Sequence, residues 1–324
     1  MGATSNPSPA PGTGPTQDDA SQANAARPAP SPMRSRFDGD GFVCPLPALN
    51  PQQTAHYRRC YLDFHAGHQS QLDALPAARR WQIYADTHFV LPWVDALTRE
   101  PGILDAVQQL LGPDLLAWNT SWFVKMPGDK AFVSWHQDGA YWGLSPMEVA
   151  TAWIALGPVA PYNGCMRVIP GSHQRPHLPQ RDTWADDNAL SRGQEIAVAV
   201  DASQAVDLVL QPGEMSLHHL WIVHGSNANL SGEPRIGIAI RYVAPCVQQA
   251  GGRQPLAMLV RGRDTHGHFT LAERPTDIVG LTVPGMPVGS PGMEVPGETN
   301  QPYQVIAFDE NGNTEVFATY TGDQ

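Results

Sequence analysis

The sequence predicts a mainly β fold, a sandwich or jelly roll with a helical flank on its N-terminal side. Between Leu115 and Val243 the chain breaks into short β-like runs separated by Gly, Pro and Asn turns. Before them, residues 52–111 carry apolar residues at helical spacings. Strands do not alternate with helices along the chain and no internal repeat is visible, which argues against a parallel α/β sheet. With 324 residues and 42% hydrophobic side chains, the chain has enough apolar material for one large core.

In chain order, residues 1–36 are rich in Pro, Ala, Ser and Gly and are expected to form a disordered tail. A single domain is expected over 37–324. The segments 52–75 and 76–97 read as helical, interrupted at Pro92. PGILDAVQQLL, residues 101–111, is a clear amphipathic helix with Pro101 at its first position and Gly112-Pro113 at its end. The predicted strands are LLAWNTSWFVKM, EVATAWIAL, CMRVIPGS, EIAVAV, AVDLVLQPG, EMSLHHLWIVHG and RIGIAIRYV. A final hairpin is expected where YQVIAF and TEVFATY flank DENGN, because Asn-Gly suits a tight turn.

Composition removes several function classes. A formal charge of −11 argues against a nucleic-acid partner. No run of about 18 apolar residues is present, so no membrane span is expected. Cys44, Cys60, Cys165 and Cys246 stand far apart without a C-x-x-C pair, which argues against a zinc ribbon or a disulfide scaffold. The opening segment lacks a signal-peptide apolar run and the chain ends in TGDQ, not a peroxisomal tripeptide. A cytoplasmic protein acting on a small-molecule substrate is the expectation. No feature of the sequence sets an oligomeric state.

The chemistry concentrates in SWHQDGAYWG. On an extended strand His136 and Asp138, two apart, would leave the same face and supply two ligands of a two-histidine, one-carboxylate facial triad. Taken alone, H-x-D is a weak signal. A third ligand is offered by His224, which closes an apolar run just before Gly225, where a turn would expose it. Arg235 follows eleven residues later and opens the next run. An antiparallel hairpin would set it beside His224, and a guanidinium suits bidentate capture of a carboxylate. Arg235, Gly237 and Ala239 should share one face, leaving room for a small acid, with Ile236, Ile238 and Ile240 on the other.

With those motifs in place, WHQDGAYWGL, TAWIALGPVAPYNGCMRVIPGSH and VHGSNANLSGEPRIGIAIRYV resemble, in order, the phytanoyl-CoA dioxygenase family of Fe(II)/2-oxoglutarate oxygenases, over about residues 115–245. The resemblance implies a double-stranded β-helix, a cupin-like jelly roll with flanking helices. It implies His136, Asp138 and His224 as catalytic metal ligands, Arg235 on the distal carboxylate of 2-oxoglutarate, and Ser226 beside it. Lys125, Gln137 and Trp153 match further positions lining the cosubstrate pocket. The implied cofactors are Fe(II), 2-oxoglutarate and O2, and the implied reaction hydroxylates a C–H bond while yielding succinate and CO2. Related halogenases carry a small residue in place of the carboxylate ligand, so Asp138 disfavours halogenation.

Plainer readings stand beside these. His218 and His219 rival His224, but read as a core or cavity histidine and its outward neighbour. His173 reads as a loop stabiliser, and Arg241 as a structural ion pair in preference to a second anion contact. Trp122, Trp135, Tyr141, Trp142 and Trp221 either line the site's mouth or fill core. The loop LVRGRDTHGHF, with Arg261, Arg263, His266 and His268, either closes over the site to bind an anion or is a solvated basic loop. The same iron site also serves desaturation, cyclisation or epoxidation, and a non-oxidative cupin-like metal protein is the competing class.

Overall fold

The computed structural model describes residues 31–69 and 85–276, apart from positions 186 and 191, and the backbone of three strands within 283–320. Residues 1–30 of the expected tail, and 70–84 of the expected helical region, lie outside the described residues. Helix α1 (Pro32–Asp40) begins inside the expected tail, with Ser31 capping its first turn and Phe37 buried. Residues 32–36 are therefore helical, where the composition suggested tail. After β1 (Phe42–Pro47) comes α2 (Pro51–Gly67), opened by a reciprocal Asn50–Gln53 capping box. A short 3-10 turn at Thr87–Phe89 precedes α3 (Pro92–Thr98) and α4 (Pro101–Leu111). Both of these start on proline, as expected of a residue that needs no N–H donor there.

The strands follow as β2 (Leu115–Lys125), β3 (Val133–His136), β4 (Leu144–Ser145), β5 (Val149–Ala155) and β6 (Met166–Val168), with the one-turn helix α5 (Gly139–Trp142) after β3. Next are β7 (Gln180–Asp182), β8 (Gln194–Ile196), β9 (Val206–Asp207), β10 (Glu214–His219), β11 (His224–Ser226) and β12 (Arg235–Val243). Beyond the core motifs lie β13 (Gln248–Gln249), β14 (Leu256–Arg261) and β15 (Thr270–Leu271). Three more strands, β16 (Val283–Pro284), β17 (Tyr303–Phe308) and β18 (Thr314–Tyr320), form their own antiparallel sheet. The expected final hairpin is the β17–β18 pair; its turn lies outside the described residues. EIAVAV is strand only through Ile196, and Val198 beyond it is 45% exposed, so half of that run has no partner face to bury.

Two sheets face each other. The major one runs β1-β10-β5-β12-β2-β14-β15, the minor one β3-β11-β6-β9. This is the jelly-roll fold expected from the sequence. Every residue of β5 and of β12 is buried because both faces of the major sheet are covered. Ile236, Ile238, Ile240 and Tyr242 pack outward against Tyr57, Tyr61, Leu97, Ile103 and Val107 of the helices. Inward, the apolar residues gather into two groups, one around Trp153, Val168 and Ile222, the other around Leu116, Trp142 and Trp221. Polar side chains occupy the inner face as well. Among the described residues no helix is long and apolar enough to cross a membrane.

One predicted run divides. EMSLHHLWIVHG supplies β10 to the major sheet and the start of β11 to the minor one, with residues 220–223 turning the corner. Ile222 N–H donates to His219 O at 3.0 Å, and Val223 N–H donates to Ser172 Oγ at 2.8 Å. His224 is thus the first residue of a new strand and is buried; no turn exposes it.

Candidate metal centre

The minor sheet assembles the two histidines. β11 pairs with β3 so that His224 lies directly opposite His136, with ring centroids 4.1 Å apart. Each ring is oriented by its own backbone: His136 Nδ1 lies 2.9 Å from Ser134 O, and His224 Nδ1 lies 3.0 Å from Ile222 O. A carbonyl only accepts, so each Nδ1 carries a proton and each Nε2 is the nitrogen turned inward. Asp138 arrives by a different route from the one its spacing suggested. β3 ends at His136, and Asp138 has helical backbone angles at the head of α5. Its carboxylate Oδ1 stands 3.3 Å from His136 Nε2. Gly139 N–H donates to Leu220 O at 2.8 Å, and a Cβ on Gly139 would come within 2.7 Å of the Trp221 ring, so this turn needs glycine.

The result is one buried cluster. His136, Asp138 and His224 each offer a ligand atom within 4.8 Å of the others. Burial by itself would raise the Asp138 carboxyl, but the hydrogen bond from His136 and the charges of His224, His136 and Arg241 outweigh it, holding the group well below the usual carboxylate range. Burial, then repulsion from His136, lowers His224 to about 4. Around neutral pH His224 is therefore a free base and Asp138 an anion, the protonation states a metal ligand needs. Two imidazoles and one carboxylate in one cluster are a ligand set that fits Fe(II) with positions left open.

Lys125 and Arg235 meet as direct partners across the β2–β12 pair. Arg235 is thus adjacent to Lys125; β11 and β12 do not form the hairpin expected from the sequence, since β12 lies between β5 and β2. Lys125 Nζ donates to Ser226 Oγ at 2.7 Å and to Asn227 O, while Arg235 donates to Gly164 O and keeps an unpartnered Nε. Both cations are 2% exposed, and among the described residues neither has a carboxylate within ion-pair distance. Burial, aided by the neighbouring Arg235 charge, lowers Lys125 to about 7; burial lowers Arg235 to about 10. Two unpaired cations in a dry interior cost several kcal/mol each, which a bound anion would offset. Ser226 is two residues beyond His224 on the same strand face, about 7 Å away along the strand. A short diacid is the right size to reach from the clamp to the metal ligands.

Trp153 sits beside Arg235 on the inner face of the major sheet. Its ring lies 5.4 Å from the Arg235 guanidinium and fills the space left by Gly237, where any Cβ would overlap it. Gln137 does not line the pocket. It is fully buried, its amide donating to Arg175 O and Trp221 O and accepting from Leu178 N–H, so it ties loops together behind the metal ligands. Arg241 is not the expected ion pair: its Nη1 donates to Asn119 Oδ1 and Ser121 Oγ, and among the described residues no carboxylate lies within ion-pair distance. His218 points inward, its ring 5.2 Å from that of His224, while His219 packs outward against Phe37 and His173. His173 Nε2 contacts Asp38 O, as befits a loop stabiliser.

The aromatic candidates separate by face. Trp122 packs in the outer core against the tilted rings of Tyr61 and Trp93, and Trp135 lies on the outer side of the minor sheet near Arg167. Trp142 flanks Arg241. The basic loop is no lid: Arg261 pairs with Asp105 on α4 at 2.8 Å, and Arg263 N–H donates to Asp114. Inner-face residues missed by sequence reasoning are Asn119, Ser121, Thr151 and Ser216; only the alignment of strands across the sheet reveals them.

A family profile described as phytanoyl-CoA dioxygenase (PhyH) matches residues 37–237. The chain belongs to this family. A second profile, a family of unknown function, matches residues 268–293. Among curated relatives, a probable alpha-ketoglutarate-dependent hypophosphite dioxygenase of Stutzerimonas stutzeri is 30% identical over 48% of this chain and 55% of its own length. The ectoine dioxygenase of Nocardia farcinica (strain IFM 10152) is 26% identical over 65% of this chain and 77% of its own. The chain thus spans about half the length of the first of these relatives and more of the second. The apo structure of the non-heme monooxygenase ThoJ superposes with a TM-score of 0.66 at 36% identity, covering 75% of this chain and 88% of that one.

Proposed function

We propose that the protein is an Fe(II)- and 2-oxoglutarate-dependent dioxygenase that hydroxylates an unactivated C–H bond of a small molecule. The balanced reaction converts substrate R–H, 2-oxoglutarate and O2 into R–OH, succinate and CO2. The observation that carries this reading is the coexistence, in one barrel interior, of the His136–Asp138–His224 cluster and the uncompensated Lys125–Arg235 pair. A redox-neutral metal protein has no use for a buried double-cation clamp. The alpha-ketoglutarate dependence in the name of the Stutzerimonas stutzeri relative supports the same reading.

In this reading His136, Asp138 and His224 hold Fe(II), which together with 2-oxoglutarate supplies the activation of O2. Lys125, Arg235 and Ser226 take the distal carboxylate and so fix the direction in which the 2-oxo acid enters. Trp153 backs the guanidinium and excludes water from it. Backbone acceptors at Ser134 and Ile222 keep both imidazoles from rotating. The four free thiols fit a reducing cytoplasm.

Anaerobic titration of the Fe(II)-loaded protein with 2-oxoglutarate tests this directly. A saturable charge-transfer absorption is expected, with succinate released once O2 is admitted. His224→Ala should abolish iron retention, and Arg235→Gln should weaken 2-oxoglutarate binding while iron stays bound. Absence of 2-oxoglutarate binding by iron-loaded wild-type protein would sink the proposal.

A further inference from the structure

The inner face of the major sheet carries polar side chains in register. Reading across β10, β5, β12 and β2, His218 is the partner of Thr151, Thr151 of Arg241, and Arg241 of Asn119. These four form one row. His218 Nδ1, Thr151 Oγ1 and Arg241 Nε are all buried without a hydrogen-bond partner. Orphaned polar atoms side by side on three neighbouring strands, facing the metal ligands, are not a packing accident, since each costs desolvation that no protein group repays.

Arg241 governs the row. It is 7% exposed and held between the Trp142 and Phe123 rings, with Nη1 anchored by the neutral Asn119 and Ser121. Two carboxylates lie near enough for their charge to act on it, Asp138 and Asp86. Asp138 belongs to the metal cluster. Asp86 is occupied by Asn119 and by Thr120 N–H, and burial raises it to about 7. Neither carboxylate is within ion-pair distance of the guanidinium.

This row is separate from the Lys125–Arg235 clamp. Two rows lie between them, Ala155–Gly237–Phe123 and Ser216–Trp153–Ala239–Ser121, so roughly 20 Å of strand separates the Arg235 and Arg241 backbones. The charges also call for another anion. Fe(II), Asp138 and a 2-oxoglutarate dianion sum to −1, which Lys125 and Arg235 turn to +1; Arg241 then adds a second net positive charge to a dry interior.

We propose that Arg241, Thr151 and His218 form the prime-substrate subsite, and that the substrate is a small carboxylate-bearing molecule whose carboxylate docks on Arg241. This rests on the oxygenase reading above. Every free group in the row can donate: the guanidinium Nε–H, the threonine hydroxyl and an imidazole N–H. A carboxylate fills such a set, and a neutral amide would set its own NH2 against them.

The test uses wild-type protein loaded with Zn(II) and saturated with 2-oxoglutarate. Ligand-observed NMR compares matched carboxylates and primary amides of one skeleton series, from propionate and propionamide to 3-phenylpropionate and its amide. Wild type should bind at least one carboxylate about tenfold or more tightly than its amide. Arg241→Gln should erase that preference while 2-oxoglutarate binding stays within about threefold of wild type. Thr151→Val, which keeps shape and charge, should reduce the preference in part. Three results overturn the inference: no carboxylate preference anywhere in the series, a preference that survives Arg241→Gln, or loss of 2-oxoglutarate or metal in that variant, which would make Arg241 a support of the centre. Failure of wild type to bind 2-oxoglutarate would instead remove the oxygenase reading itself.

Discussion

Lys125 is a buried ammonium whose charge depends on its neighbours. With its own value near 7, it is part neutral in the free protein at neutral pH, and a bound carboxylate would raise it. Below pH 7 Lys125 is charged before and after binding, so affinity for 2-oxoglutarate should be flat. Above pH 7 the free protein must take up a proton to bind, and affinity should fall by up to about tenfold per pH unit until the raised value in the complex is reached. Arg235, near 10, stays charged across this window. Anaerobic titrations from pH 6 to 9, with proton uptake measured in buffers of different ionisation enthalpy, check the expectation. Lys125→Met should bind about tenfold to a hundredfold more weakly and show no such slope. A wild-type profile flat to pH 9 would mean that Lys125 does not touch the anion.

At the scale of the element, β12 was legible and the corner after β10 was not. The alternation in RIGIAIRYV places Arg235, Gly237 and Ala239 inward and the isoleucines outward, because side-chain period in a strand is a local property. Which strand lies beside β12 is not local. The expected hairpin with His224 fails because β12 is zipped between β2 and β5 over its length, and register is set by the whole sheet. H-x-D likewise brought together two members of the cluster by a route other than the expected one: the strand stops at His136, and a helical turn delivers Asp138. Gln137 was misplaced by the same step, since leaving the strand points it into the loops. Gly237 provides a test at this scale. Gly237→Ala drives a methyl into the Trp153 ring on which Arg235 rests, an overpacking that should cost about 1–3 kcal/mol of stability. Weaker 2-oxoglutarate binding with unaltered metal affinity is expected, because the ligands His136 and His224 stand on the other sheet. Equal losses of both would show that the clamp and the ligands do not behave as separate elements.

For the molecule as a whole, the division between sheets has a thermodynamic consequence. His136 and His224 belong to the minor sheet, Lys125 and Arg235 to the major one, and the middle of the molecule, between the sheets, is shared by apolar clusters and polar side chains. A 2-oxo acid that chelates the metal at one end and fills the clamp at the other would join the two sheets through that middle. Metal and 2-oxoglutarate should therefore bind cooperatively, each strengthening the other by the same factor. Melting temperature is the accessible readout. Zn(II) alone, present at about a hundred times its dissociation constant, should stabilise the fold by about 2.7 kcal/mol. For a domain of this size that is a rise of roughly 5–10 °C. 2-Oxoglutarate without metal should add little, and the two together more than the sum of their separate shifts. In Arg235→Gln the metal shift should persist and the excess disappear, since only the bridge has been cut. If the two shifts simply add in wild type, the acid does not connect the sheets, and the clamp must serve some anion that never reaches the metal.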